Sequence, residues 1–400
     1  MEGIGYSYNG WVLSYNATTL QPTGAFASII APPATGGGIW QSGRAPVVDD
    51  NGYVYLFVGN AYVPNSYKAS ANGYDGVANF SESLLKFDSS LKLVDWFTPG
   101  AWFNLDSNDL DLSSSGPTLL PGTQLLTGGG KDGNLYVWNT NNLGHYNAKD
   151  AQVVQKIPGP NLARFMYNGV IFWQRSAVQG GSLLFNVYKN SPIYAFAFNG
   201  NGFNPNPVSS SLDSGAANAG FNSSMALSAN ADYTGTGIIW ELQNNPATNI
   251  SVLRALDASN LGNELWNSSV YLSDSLKSPT TYIPPTISNG KVYAPTLRNQ
   301  LVVYGLRQNY PYVTPVANQN SALFSSINLG INASTASGDV LVYSATGLPT
   351  GLSINSSTGA ITGTPKYIGS YSVQVNVLDS TIGHKNTIQF TWIISRGLIK

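Results

Sequence analysis

The densest group of side chains able to do chemistry is Asp106-Ser107-Asn108-Asp109-Leu110-Asp111. Hard oxygen ligands at alternate positions suit Ca2+, so Asp106, Asn108, Asp109 and Asp111 form a candidate cation set. The run departs from the EF-hand pattern, with Leu110 at its fifth position and Pro117 at its twelfth. Asp and Asn also punctuate the loops that lead into strands, and that reading stands beside the metal. In an extended lead-in, Asp109 and Asp111 point the same way. Two carboxylates on one face could act as acid and base in glycoside cleavage, which needs roughly 5 to 9.5 Å between them. Glu82, Glu241 and Glu264 are expected in different structural units, with nothing to aim them at one substrate.

Histidine is scarce: His145 and His384 stand far apart, which speaks against a His-based triad or a multi-His metal site. There is no cysteine, hence no disulfide and no thiolate metal site. Trp40, Trp138, Trp173 and Trp240 recur near expected strand ends. Such rings pack between sheets or, at an open channel, stack on pyranose rings. Arg44, Lys131 and Arg175 would be the cations at that mouth, or else salt-bridged or solvated. The candidate binding set is Trp40, Arg44, Asp109, Asp111, Lys131, Trp173 and Arg175, and no residue is assigned a catalytic role. The glycine runs Gly36-Gly37-Gly38, Gly128-Gly129-Gly130 and Gly180-Gly181 lack the Lys-Ser/Thr of a phosphate loop, so crowded strand starts explain them.

Composition narrows the classes further. The 400 residues are 42% hydrophobic and 10% charged, against about 25% charged in an average soluble protein. Nineteen basic against twenty acidic residues give a net charge of -1, so no basic footprint for nucleic acid or an anionic membrane exists. In acid, protonating the carboxylates leaves only about +20 of self-repulsion, which suits an acid-tolerant secreted protein and equally a neutral surface protein. No apolar run is long enough to span a bilayer. Met1 to Tyr6 carries no signal-peptide pattern, and the chain reads as a mature or truncated product. Seven Asn-x-Ser/Thr sequons, at Asn16, Asn79, Asn222, Asn249, Asn267, Asn332 and Asn355, are about as many as composition alone predicts.

The elements that must position these residues read as strands. Helical periodicity is nearly absent, and short β-branched and aromatic runs alternate with Gly, Asn-Gly, Asp-Gly and Pro signals. Hairpin turns are expected at Asp50-Asn51-Gly52, Asp132-Gly133-Asn134 and Ser288-Asn289-Gly290, where left-handed backbone favours Asn and Gly. One phrase recurs: V-L-S-Y-N-A-T-T-L (Val12 to Leu20), L-Y-V-W-N-T-N-N-L (Leu135 to Leu143) and L-R-A-L-D-A-S-N-L-G-N-E-L-W-N-S (Leu253 to Ser268). Repetition at tens of residues signals a stacked or circular architecture. A partial unit covers residues 3 to 30, and further units start near Ile39, Asp109, Val170, Ser223 and Pro279. Six such units suit a β-propeller, whose ring removes exposed sheet edges.

Specific phrases then resemble a known family. G-G-G-I-W-Q-S-G-R-A-P (Gly36 to Pro46), E-S-L-L-K-F (Glu82 to Phe87), N-D-L-D-L-S-S-S-G-P (Asn108 to Pro117), L-L-T-G-G-G-K-D-G (Leu125 to Gly133) and Y-I-P-P-T-I-S-N-G-K-V-Y-A-P-T (Tyr282 to Thr296) resemble secreted propellers of pyrroloquinoline-quinone-type repeats. The resemblance covers residues 3 to 306 and implies a ring that further blades would complete. Quinone dehydrogenases of that kind hold their cofactor against a vicinal disulfide, which a chain without cysteine cannot form, so the quinone is not expected here. Relatives also carry histidines where this chain has Ala163 to Gly169, A-R-F-M-Y-N-G.

Past Leu306 the texture changes. Arg307 to Pro315 carries two prolines and reads as the stiff part of a linker over 307–317. Tyr371 to Val377 alternates strictly, as a half-buried strand does. G-L-P-T-G-L-S-I-N-S-S-T-G-A-I-T-G-T-P (Gly347 to Pro365) with G-S-Y-S-V-Q-V-N-V-L-D-S (Gly369 to Ser380) resembles the immunoglobulin-like and cadherin-like modules of microbial surface proteins. Residues 318–396 are therefore expected to form a two-sheet sandwich. Cadherin-like relatives bind calcium between modules, yet only Asp339 and Asp379 remain here to do so, and the module reads as a spacer.

The expectation is an all-β chain: a β-propeller over 1–306 and an immunoglobulin-like sandwich. It would be an extracellular or cell-surface recognition or adhesion protein whose partner is a glycan or another surface protein. The rivals are a degenerate quinoprotein-like oxidoreductase, a polysaccharide-acting enzyme using Asp109 and Asp111, and a self-assembling surface-layer or filament subunit. No cofactor beyond calcium is expected. The long Tyr-rich insert Asn60 to Phe80 is the candidate binding loop.

Overall fold

A computed structural model describes residues 8–30, 35–62, 79–160, 165–212, 223–245, 250–269, 274–280, 282–305, 311–335, 339–381 and 383–396. The chain is all-β and divides into two compact units, 1–304 and 305–400. Residues 63–78 of the expected binding loop, Ala163 and Arg164, and residues 307–310 of the linker lie outside the described residues.

Among the described residues of the first unit, six sheets follow one another, with a further two-stranded pairing of Thr35–Gly36 and Ala61–Tyr62 beside them. The first pairs Trp11–Tyr15 with Pro22–Ala27. The second is built from Val47–Val48, Val54–Phe57, Leu84–Phe87 and Leu93–Thr98, with His145–Tyr146 added parallel at its edge. The third runs through Thr118–Leu120, Leu125–Gly129, Asn134–Asn139 and Gln155–Pro158. The fourth contains Ile171–Trp173, Leu183–Val187, Ile193–Ala197 and Ser209–Ser210, and the fifth Ser224–Ser228, Ile238–Asn245, Ile250–Asp257 and Glu264–Asn267. Thr286–Ser288, Lys291–Pro295 and Leu301–Gly305 form the sixth.

Local chemistry explains the turns. Gly52, Gly133 and the pair Asn289 and Gly290 all have positive φ at the three expected hairpins. The repeated phrase marks the turn after the third strand of the third and fifth sheets and the turn between the two strands of the first. There Asn16, Asn139 and Asp257 each accept, on side-chain Oδ1, the N–H two residues on. Asp88 and Asn199 do the same in the second and fourth sheets, where the surrounding phrase has drifted too far to stand out.

The second to fifth sheets each bury both faces, and alternation divides the work. Tyr136 and Trp138 pack with Tyr55, Phe57, Leu84 and Phe97 of the second sheet. Leu135 and Val137, on the other face of the same strand, pack with Leu184, Tyr194 and Phe196 of the fourth. Comparable cores lie between fourth and fifth sheets (Trp173, Phe185, Ile239, Leu256) and between fifth and sixth (Leu242, Leu253, Val292). Burying one such side chain stabilises by about 1.5–3 kcal/mol, so these interfaces dominate the unit's stability. The first strands of the second to sixth sheets also touch in series.

The second unit is a two-sheet sandwich. One sheet orders Gln319–Ala322, Lys385–Ser395, Gly369–Asp379 and Leu341–Thr346; the other orders Ile327–Gly330, Ala360–Gly363 and Leu352–Ile354. Val373, Val375 and Val377 point into its core beside Ile361, Phe390 and Trp392, as their alternation requires.

Candidate functional site

The segments leading into successive sheets are hydrogen-bonded to one another. Ser42 Oγ donates to the Ser114 carbonyl (2.7 Å), Ser114 Oγ to the Met166 carbonyl (2.6 Å), and Asn168 Nδ2 to the Ser223 carbonyl (2.7 Å). Arg44 runs through their midst. Its Nη2 donates to the carbonyls of Gly169 (2.9 Å) and Met225 (3.4 Å), and burial pulls its guanidinium down to about 10. A Cβ on Gly116 would stand 2.6 Å from Arg44 Cβ, so glycine is what admits the arginine stem. Arg44 thus fastens the second sheet to the fourth and fifth, where a channel-mouth cation was expected.

Beside it lies the ion cluster. Lys131 Nζ donates to Asp109 (2.9 Å) and to Asp111, whose Oδ1 accepts the Asn60 N–H (3.0 Å). Asp111 and Lys131 are buried, whereas the Asp109 side chain is 63% exposed. Burial works against the Lys131 charge, but Asp111 and Asp109 outweigh it and raise its pKa. Burial also raises Asp111, with Lys131 opposing. Glu82 lies fully buried nearby. Its Oε2 accepts the Leu112 N–H (2.6 Å), its Oε1 has no partner, and burial together with Asp111 raises its carboxyl well above the usual range.

An aromatic rim borders the cluster. Trp40 is 37% exposed and meets Tyr282 edge-to-face at 6.2 Å; Tyr282 meets Tyr167 at 5.8 Å, and Tyr167 stacks on Phe165 at 6.1 Å. Lys131 Nζ lies 5.5 Å from the Trp40 ring. Gln41, Ser42, Asp109, Phe165 and Tyr282 all hold left-handed backbone, costing about 1–3 kcal/mol each, and such strain clusters at functional sites.

The remaining expected residues go elsewhere. Arg175 covers the Trp173 ring at 4.6 Å, and the pair bonds to Ala231 and Thr234 beyond the far end of the Ile171–Trp173 strand. Trp138 is core, and Trp240 is bonded to Ser228 within the fifth sheet. The calcium set does not assemble: Asp106 accepts the Ala61 N–H (2.6 Å), Asn108 bonds Asn104, and the Lys131 ammonium takes the position between Asp109 and Asp111. Asp106 lies in a short helix, Trp102–Ser107, apart from the lead-in that carries Asp109 and Asp111. Among the described residues no three His, Asp or Glu are grouped to hold a metal. Glu241 and Glu264, expected in different units, share the fifth sheet, where both bind Arg254 (2.8 and 2.6 Å). His145 stacks on Trp96 at 3.6 Å and faces Asp95. In the second unit, the Thr335 hydroxyl lies 3.1 Å from Asp339 and 2.5 Å from Asp379.

Sequence reasoning missed Tyr167, Tyr282 and Phe165 as site residues. A signal existed: Trp40, Tyr167 and Tyr282 each stand just before the first strand of their sheet.

Residues 309–395 match the family described as "Putative Ig domain" (He_PIG), so the second unit contains an immunoglobulin-like domain. The serine-rich adhesin for platelets of Staphylococcus aureus (strain USA300) is 34% identical over 88 residues, which cover 22% of this chain and 4% of the adhesin. The chain therefore spans a small fraction of that relative's length. PorZ, a surface component of the type-IX secretion system of Porphyromonas gingivalis, aligns at 13% identity over 94% of this chain and 48% of its own, with a TM-score of 0.31. A SusE-like surface polysaccharide-binding protein of Bacteroides thetaiotaomicron aligns at 13% identity over 54% and 42%, with a TM-score of 0.16. No described helix is long and apolar enough to cross a membrane.

Proposed function

We propose that this chain is a surface recognition protein of the adhesion class: a β-propeller of pyrroloquinoline-quinone-type repeats that binds glycan, carried with an immunoglobulin-like spacer. The propeller reading is supported by face-to-face packing of consecutive sheets, serial contact of their first strands, and the approach of Gly43 to the Tyr282 carbonyl. Such a ring would bring the second and sixth sheets together at its axis. The surface location is supported by the likeness of an 88-residue stretch of this chain to part of an adhesin.

One observation carries the glycan reading. Trp40, exposed, and Tyr282, half-buried, present aromatic rings beside an exposed carboxylate, Asp109, fixed by Lys131, with the buried Tyr167 packed edge-to-face against Tyr282. Aromatic faces suit the apolar side of a pyranose, and a charged acceptor suits its hydroxyls. A glycan array on the full chain, followed by calorimetry on any hit, tests this. Trp40→Ala and Asp109→Asn should each weaken binding by about tenfold or more, which corresponds to 1.4 kcal/mol. Undiminished binding by both variants overturns the site.

A second reading, a self-assembling subunit, is favoured by two apolar rows. Trp11, Leu13 and Tyr15 of the first sheet are 58, 54 and 54% exposed, and Leu301 and Val303 of the sixth are 60 and 49% exposed. Sedimentation velocity across a concentration series, with a Trp11→Ser, Leu13→Ser variant, distinguishes it.

A further inference from the structure

The seven sequons are unremarkable in number, but the fold treats them differently. Asn222 and Asn249 lie outside the described residues. Asn79 is buried, 2% exposed, in a bridge with Ile29. Asn267 is half-buried, and its Nδ2 donates to Glu264 (2.5 Å). Asn332 is exposed and leads directly into the paired strand Ala333–Ser334.

Asn16 and Asn355 differ from these and resemble each other. Both are exposed, one in each unit. In both, Oδ1 accepts two backbone N–H groups: those of Thr18 and Thr19 (2.9 and 2.9 Å), and those of Ser357 and Thr358 (2.9 and 3.0 Å). Each turn therefore fixes the carboxamide by its oxygen and holds it next to the hydroxyl residue of the sequon, Thr18 or Ser357. Drawing electron density to Oδ1 makes the Nδ2 protons more acidic, and both asparagines are exposed.

We infer that Asn16 and Asn355 are acceptor sites for Asn-linked glycan on the folded protein, with a polyprenyl-phosphate-linked oligosaccharide as donor. In the transfer, Nδ2 forms a bond to the anomeric carbon, the bond from that carbon to the phosphate oxygen breaks, the polyprenyl phosphate leaves with the electron pair, and one Nδ2 proton passes to the transferase's base. This inference is independent of the glycan-binding site, since it rests only on the turns at Asn16 and Asn355.

The test is to incubate the purified, folded full-length chain with a single-subunit oligosaccharyltransferase and its lipid-linked oligosaccharide, and to read occupancy by peptide mass spectrometry. Synthetic peptides spanning Asn16, Asn79 and Asn355 run in parallel. The peptides should be modified at similar rates. In the folded chain, Asn16 and Asn355 should be modified at least about tenfold faster than Asn79, which must wait for local opening. The inference is overturned if the peptides react while folded Asn16 and Asn355 do not, or if folded Asn79 keeps pace with them. Asn16→Gln and Asn355→Gln should each remove one glycan, and losing none would equally overturn it.

Discussion

Lys131 and Asp111 face each other across twenty residues of sequence, one in the second hairpin of the third sheet and one in the loop leading into that sheet, and both are buried. A buried pair of this kind stabilises little as a whole, because desolvation offsets attraction; removing one member leaves an unpaired charge. Lys131→Met should therefore destabilise the first unit by about 3–5 kcal/mol, and Lys131→Met with Asp111→Asn should recover most of that loss. Urea denaturation followed by tryptophan fluorescence checks it.

Glu82 predicts how stability moves with pH. Burial raises its folded pKa above the unfolded value, so between those values the folded state binds more protons than the unfolded one. Its contribution is fully present below the unfolded value, about 4.3, and is lost as pH rises through the folded value. Stability should fall as pH rises from the unfolded value to the folded one, and Glu82→Gln should flatten that slope and raise stability at pH 7. A steeper slope in Glu82→Gln would contradict the assignment.

Gly116→Ala should destabilise the chain by about 1–3 kcal/mol through overpacking against the Arg44 stem. Thermal denaturation of Gly116→Ala alone and with Arg44→Ala should show partial rescue in the double variant, as expected of two groups in contact.

In the fifth sheet, Asp257→Ala should cost about 1 kcal/mol by removing the Ser259 N–H acceptor, with no change in the sheet's register. Chemical denaturation gives the cost, and backbone amide shifts report the register.

The immunoglobulin-like unit should fold on its own. A fragment of residues 305–400 should unfold cooperatively, and Trp392→Ala, which empties the centre of its core, should cost about 3–5 kcal/mol. Circular dichroism of the fragment decides.

Much of the architecture was legible before any coordinates. Hairpin positions followed from Asn and Gly, because only those residues adopt left-handed backbone cheaply, and Asn289 and Gly290 do so. The strands followed from alternation, as Val373, Val375 and Val377 illustrate. The site was legible in part. Asp109, Asp111, Lys131 and Trp40 do meet: Asp109 and Asp111 stand in the loop before the first strand of the third sheet, Lys131 in the turn after its second strand, and Trp40 in the segment before the second sheet. Trp173 and Arg175 are of the same residue types yet sit at the other end of their strand, and residue type alone carries no sign of which end.

Pairing across the sheets depended on the tertiary structure. Glu241 with Arg254 and Glu264, Arg44 with Gly169 and Met225, and Glu82 with Leu112 all depend on contacts between segments apart in the chain. Sequence by itself determined the local conformations and the faces to be buried, since these arise from the backbone preferences and periodicity of neighbouring residues. Which charges meet, which carboxylate receives an ammonium in place of a metal, and which asparagines face solvent were decided by packing, because those outcomes are set by the contents of the adjoining segment.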